Sequence, residues 1–364
     1  MRQVPEARER DTGRPPRPRP AGLSHLPGGS RRPRRVPAPV AVGAAALVTL
    51  LVLGSLVVIT GDSGGDGAGT TTTGGRHGAR PHPPVSLPWP HQGQASVLVE
   101  GLGDSGDLGN RGAQNPVPIA SVAKVMTAYV ILRDHPLRDG ASGPMVAVDR
   151  QAADESVSGV ESSVPLSKGR RLSERRLLEM MLIPSGNNVA RLLARWDAGS
   201  QEAFAAKMNR AADDLGMDRT TYTGASGIES TTTSTSGDQL KLARQVMRDP
   251  VFRAIVALPS TTVPGVPGSI PNTNTLLGTS GVIGLKTGSS TPAGGALMWA
   301  ATAPDRHGHG HLALGVVLHQ HPGTSPQEGL NAVLGTSRVL VEGVRRWVAG
   351  TETASAAGAR AGDR

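Results

Sequence analysis

Ser121 and Lys124 stand three residues apart in the apolar run 118–132 (PIASVAKVMTAYVIL), so a helix there puts a hydroxyl and an amine on one face. At its first turn the two groups come within hydrogen-bond reach. Valine, methionine and isoleucine neighbours, together with the positive end of the helix dipole, favour an uncharged amine, which can take the serine proton. The pair then reads as an activated nucleophile. Alone, Ser-x-x-Lys is a weak signal, because the same spacing arises wherever a serine caps a helix and a solvated lysine follows. Composition strengthens it. Of 38 lysines plus arginines only five are lysine: Lys124, Lys168, Lys207, Lys241 and Lys286. In a chain that favours arginine, a lysine kept inside an apolar helix suits a site that needs a cation able to lose its proton.

Two further short motifs need elements to position them. Ser185-Gly186-Asn187 follows a helical pattern opened by Ser173 and stopped by Pro184, and precedes Val189, Leu192, Leu193 and Trp196 at helical spacing. Lys286-Thr287-Gly288 closes the first of three consecutive strand patterns, 282–287, 296–301 and 312–319, with turns at 291–295 and 305–308. An earlier strand is expected at 95–100, followed by a Gly/Asp turn region, and further helices at 201–215 and 238–247. Ser325-Pro326-Gln327-Glu328 is a capping box with proline at the first helical position. The stripe Leu330, Val333, Leu334, Leu340, Val341, Val344, Trp347 and Val348 then predicts a long last helix lying on the sheet.

The formal charge of +9 resembles a nucleic-acid signal until it is located. Residues 1–39 hold ten arginines against three acids, so most of the excess lies in a tail too poor in apolar residues to fold. The nearly neutral remainder argues against a nucleic-acid groove. Residues 40–59 (VAVGAAALVTLLVLGSLVVI) carry no charge and are long enough to cross a bilayer as a helix. Four arginines precede this run at 31–35, and no lysine or arginine follows before Arg76, which places the N-terminus in the cytoplasm and the rest outside. A cleaved signal peptide is the competing reading; an uncleaved single-pass anchor fits the long apolar core better. Residues 60–92 read as a flexible spacer, 93–350 as the folded domain and 351–364 as a polar tail. Without cysteine, disulfides, thiol catalysis and thiolate metal sites are excluded.

The three motifs occur in the order and spacing of penicillin-binding proteins and class A β-lactamases. Ile183-Pro184-Ser185-Gly186-Asn187, Leu215-Gly216-Met217, Ser226-Gly227-Ile228, Asn272-Thr273-Asn274 and Gly284-Leu285-Lys286-Thr287-Gly288 are similar to family segments in the same order. Residues from about 95 to 348 thus resemble a serine-type D-alanyl-D-alanine carboxypeptidase, a low-molecular-mass penicillin-binding protein of the peptidase S11 family. The resemblance implies an α/β, β-lactamase/transpeptidase-like fold: a five-stranded, mainly antiparallel sheet flanked by helices, plus an all-α lobe. It implies an acyl-enzyme on Ser121 with Lys124 as base, Ser185 relaying the proton, and Asn187 holding Lys124 and the substrate amide. Backbone N–H groups of Ser121 and Ser289 would form the oxyanion hole. Lys286 and Thr287 would recognise the substrate carboxylate, Ser290 would add a hydroxyl, and Gly288 would let the substrate lie close. The implied substrate is a peptidoglycan stem peptide, β-lactams would be covalent inhibitors, and no cofactor is required.

Two departures stand out. Asn188 replaces the usual aspartate after Ser-x-Asn, which reads as a change in helix-start electrostatics. Ser289 and Ser290 replace an aromatic residue and threonine after Lys-Thr-Gly, removing bulk beside the substrate. A class A β-lactamase would need a deacylating glutamate between the second and third motifs, where only Glu202 and Glu229 occur, neither followed by Leu-Asn. A transpeptidase and a catalytically silent wall-binding protein remain as alternatives. His307, His309 and His311, with His319 and His321 nearby, read as a glycine-rich loop in preference to a metal site.

Overall fold

The computed structural model describes residues 86–351 apart from 103–105, 139, 158 and 160. The basic tail, the apolar run 40–59, the spacer up to residue 85 and the C-terminal tail after Thr351 lie outside the described residues. Among those described, no helix is long and apolar enough to cross a membrane.

Five strands form the central sheet: β1 (Gln94–Val99), β2 (Asp107–Arg111), β3 (Val282–Ser290), β4 (Gly294–Pro304) and β5 (Gly310–Gln320). Their order is β2-β1-β5-β4-β3, and every neighbouring pair is antiparallel. The stretch expected to be only a Gly/Asp turn contains β2, a polar edge strand paired with β1 through an irregular register. The helices are α1 (Lys124–Asp134), α2 (Arg150–Glu155), α3 (Glu174–Leu182), α4 (Asn187–Ala198), α5 (Gln201–Asp214), α6 (Ser236–Val246), α7 (Pro250–Val256) and α8 (Pro326–Gly350).

Alternation along β4 makes two layers of core. Ala296, Met298 and Ala300 face the helical lobe, while Leu297, Trp299, Ala301 and Ala303 face α8. Trp299 lies directly over its cross-strand partner Gly315, where an added Cβ would stand 2.1 Å from the indole ring. Helix α8 starts at the expected capping box, with Ser325 Oγ accepting from Glu328 N and Glu328 Oε2 accepting from Ser325 N at 3.0 Å. Leu87 and Trp89, within the stretch read from sequence as spacer, pack in the same core as α8, and Pro88 lies against Gly343.

On the opposite face α1 packs against α3, α4, α5 and α6. Residues Lys124 to Ala128 and Val130 to Leu132 are all buried, as a helix surrounded by other helices requires. Ser121 precedes this α-helix, in a 3-10 turn over Ala120–Ala123, where the sequence pattern placed it in the first α-helical turn. The tighter turn still brings residues three apart onto one face.

Candidate active site

Three segments converge at the start of α1. The turn carrying Ser121 presses against β3, so that a Cβ on Gly288 would stand 3.0 Å from Ile119 O, Ser121 N and Val122 N. From the other side Gly227, at φ +76°, comes so close that a Cβ there would lie 2.0 Å from Ala120 O. Ala120 itself adopts φ +46°, a left-handed conformation uncommon for a residue with a Cβ, directly before the serine.

Lys124 is fully buried and its Nζ has three oxygen neighbours: Ser121 Oγ at 2.8 Å, Asn187 Oδ1 at 2.5 Å and Ser226 O at 2.8 Å. The two carbonyl oxygens can only accept. An uncharged lysine has two N–H bonds and one lone pair, so it gives both hydrogens to these carbonyls and turns its lone pair to Ser121 Oγ. Burial pushes the Lys124 pKa well below that of an ordinary lysine, and the charges of Lys286 and Arg191 push the same way. Glu161 and Glu229 oppose the shift without reversing it.

Asn187 opens α4 and Ser185 lies two residues before it. Ser185 adopts φ +66°, is buried, and its Oγ has no hydrogen-bond partner among the described residues. Lys286 is also buried, with one hydrogen bond to Thr287 O at 2.9 Å, and burial pulls its pKa down to about 7. Thr287 Oγ1 lies 2.6 Å from Thr273 Oγ1, and Thr273 N donates to Ile183 O at 3.2 Å. The 272–274 segment therefore ties the strand bearing Lys286 to the segment bearing Ser185. Ser289 and Ser290 end β3, half-buried; Ser290 Oγ accepts from Ala293 N at 3.2 Å and keeps its hydrogen to give.

The sequence reading missed Glu161 and Arg191. Glu161 Oε2 accepts from Asn187 Nδ2 at 2.9 Å, and Arg191 pairs with both Glu161 and, at 2.9 Å, Glu155 Oε2. A signal existed in Arg191, four residues after Asn187 on the apolar face of α4, where a buried cation needs a counter-charge. Asn188 has a role beyond the one expected. Its side chain is fully buried and bonds to Val164 N, Val164 O, Ala152 O and Ser156 Oγ, so besides leaving the first turn of α4 without an acid it fastens the loop before α3.

Of the two glutamates between the second and third motifs, Glu202 is exposed in the first turn of α5 and the carboxyl of Glu229 is folded against Gly224. Among the histidines, His307 N and His309 N donate to Asp305 Oδ1, while His309 Nδ1 and His311 Nε2 lie 3.4 Å from Asp305 Oδ2. The aspartate thereby organises the β4–β5 turn. No group of three or more His, Asp or Glu side chains among the described residues is arranged to hold a metal ion.

Fold and site together define a serine hydrolase of the β-lactamase/transpeptidase-like class. A family profile described as D-alanyl-D-alanine carboxypeptidase, peptidase S11, matches residues 85–311. A D-alanyl-D-alanine carboxypeptidase of Streptomyces sp. (strain K15) is 32% identical over 266 residues, covering 69% of this chain and 88% of the relative. One from Mycobacterium tuberculosis is 32% identical over 230 residues, covering 62% and 76%. The solved structure of the Streptomyces K15 DD-transpeptidase matches with TM-score 0.56 and 27% identity over 71% of this chain and 97% of that one. Penicillin binding protein 6B from Escherichia coli matches with TM-score 0.57 and 26% identity over 71% and 79%. The chain belongs to the D-alanyl-D-alanine carboxypeptidase family of serine peptidases.

Proposed function

We propose that the chain removes the terminal D-Ala from peptidoglycan stem peptides through an acyl-enzyme on Ser121, with Lys124 as the base. The observation that carries this reading is the set of Lys124 partners: in an uncharged lysine two obligate acceptors take the amine hydrogens, which leaves the lone pair for the serine oxygen. Ser121 Oγ attacks the carbonyl carbon of the penultimate D-Ala as its proton passes to Lys124 Nζ. The backbone N–H groups of Ser121 and Ser289 receive the oxyanion where β3 meets the 3-10 turn. Lys286 and Thr287 hold the terminal carboxylate, with the Ser290 hydroxyl beside them. Ser185, whose hydroxyl has no other partner among the described residues, returns the proton to the departing D-Ala amine. The second N–H of Asn187 is left for the substrate amide once Glu161 has the first. Water then resolves the ester.

Resolution by an amine in place of water gives transpeptidation, and the Streptomyces K15 relatives carry both names. β-Lactams enter by the same attack and stop at the acyl stage. The test is intact-mass analysis and peptide mapping after exposure to benzylpenicillin, with assay of free D-Ala from a D-Ala-D-Ala peptide. An adduct on Ser121 lasting minutes, together with D-Ala release, supports the reading. Labelling elsewhere, or rapid turnover of the penicillin, overturns it.

The run 40–59 is proposed as a single-pass anchor, with the N-terminus in the cytoplasm and the peptidase domain outside, where its substrate lies. The uncharged run and the arginines before it support this topology. Protease added to intact spheroplasts should remove the peptidase domain; full protection would contradict it.

A further inference from the structure

The two ends of the Asn187 amide are alike in shape, so its orientation is set by what each end meets. One end faces Lys124 Nζ at 2.5 Å and the other faces Glu161 Oε2 at 2.9 Å. Lys124 alone cannot choose between them, because an uncharged amine can donate to Oδ1 or accept from Nδ2. With the amide turned over, Nδ2 would occupy the lysine lone pair and the Ser121 proton would have no acceptor. A carboxylate has no hydrogen to give, so only Nδ2 can face Glu161.

We propose that Glu161 is a positioning residue for acylation: by accepting from Asn187 Nδ2 it fixes Oδ1 on Lys124 and keeps the lysine lone pair directed at Ser121 Oγ. The carboxylate is itself held in place. Arg191 donates to both of its oxygens and is braced by Glu155, while Asn187 N donates to Ser162 O at 2.8 Å beside it. Burial opposes the charge on Glu161, but hydrogen bonds from Arg191 and Asn187 outweigh it and hold the carboxyl below its usual range. The charges acting on Lys124 come from Lys286 on β3, Arg191 on α4, Glu161 on the preceding loop and Glu229 after Gly227. Removing the Glu161 charge therefore lowers the Lys124 pKa further.

The test compares the full chain with Glu161→Gln, whose amide can donate or accept and so allows both orientations of Asn187. Acylation by benzylpenicillin is followed across pH, with kcat and KM on a D-Ala-D-Ala peptide. The variant should lose about 10- to 100-fold in acylation rate and kcat. Its KM should stay within about twofold, and the acid limb of its acylation profile should move to lower pH. If Glu161→Gln does not fold, the variant Glu161→Gln/Arg191→Met, which removes the buried cation as well, carries the same expectation for rate and KM; because the Arg191 charge acts on Lys124 more strongly than that of Glu161, its acid limb should instead move to higher pH. An unimpaired rate overturns the proposal; so does a loss with the acid limb unmoved, which marks a purely structural part. The inference rests on Ser121 and Lys124 being nucleophile and base. Failure of the parent chain to acylate at Ser121 sinks that assignment, whereas normal acylation by both parent and variant sinks only the role of Glu161.

Discussion

The Asn188 side chain grips both backbone polar groups of Val164: Oδ1 accepts from Val164 N at 3.0 Å and Nδ2 donates to Val164 O at 2.8 Å. The same Nδ2 lies 3.1 Å from Ala152 O and from Ser156 Oγ. An aspartate could keep the first bond but would turn an oxygen toward these acceptors. Asn188→Asp should therefore lose about 1–3 kcal/mol of stability in denaturant unfolding. A variant as stable as the parent would show that the loop is held by other contacts.

Gly288 lets β3 lie close against the Ser121 turn. A methyl group at 3.0 Å from Ile119 O and two backbone nitrogens forces the strand and turn apart. Gly288→Ala should reduce acylation by about 10- to 100-fold, because small displacements of reacting groups are costly. Stopped-flow acylation measures this, and parental kinetics would contradict the close packing.

Glu174 opens α3 fully buried, with neither carboxylate oxygen hydrogen-bonded among the described residues, and burial raises its pKa from 4.5 to about 7 against a smaller opposing effect of Arg175. Between those values the unfolded chain has lost the proton that the folded chain keeps. The resulting stability is complete below about 4.5 and disappears as pH rises through about 7. Glu174→Gln should then gain about 1–3 kcal/mol over the parent at alkaline pH and nothing in acid. Melting curves at both extremes decide it; equal differences at the two would rule it out.

Lys286, with its pKa near 7, is charged below that pH and neutral above it. A terminal carboxylate bound there should show a KM that climbs as pH passes about 7, while a carboxamide analogue shows no such climb. Parallel KM profiles for the two would remove Lys286 from carboxylate recognition.

Much of the frame was legible because its signals are local. The strand runs before and after Thr291-Pro292, the proline stop at 184 and the Ser325 capping box each act within a few residues. β2 escaped because an edge strand of Asp, Gly, Asn and Arg needs no apolar alternation and is held by pairing with β1. Helices α2 and α7 are too short for periodicity and rest on the caps Asp149 and Asp249. The three motifs supplied the residues around Lys124, but not Glu161. An acid in a serine-rich loop carries no local pattern, and its meaning appears only when the fold brings it to Asn187 from 26 residues away.

In the proposed mechanism Lys124 is uncharged when it meets Ser121. Its most direct test is the pH dependence of the saturating rate at which benzylpenicillin acylates Ser121. An acid limb well below the ordinary lysine value of 10.5 is predicted, with the full rate reached before strongly alkaline pH. A rate that keeps climbing until the pH reaches 10.5 would mean that the lysine is an ordinary ammonium at neutral pH, which contradicts the uncharged amine.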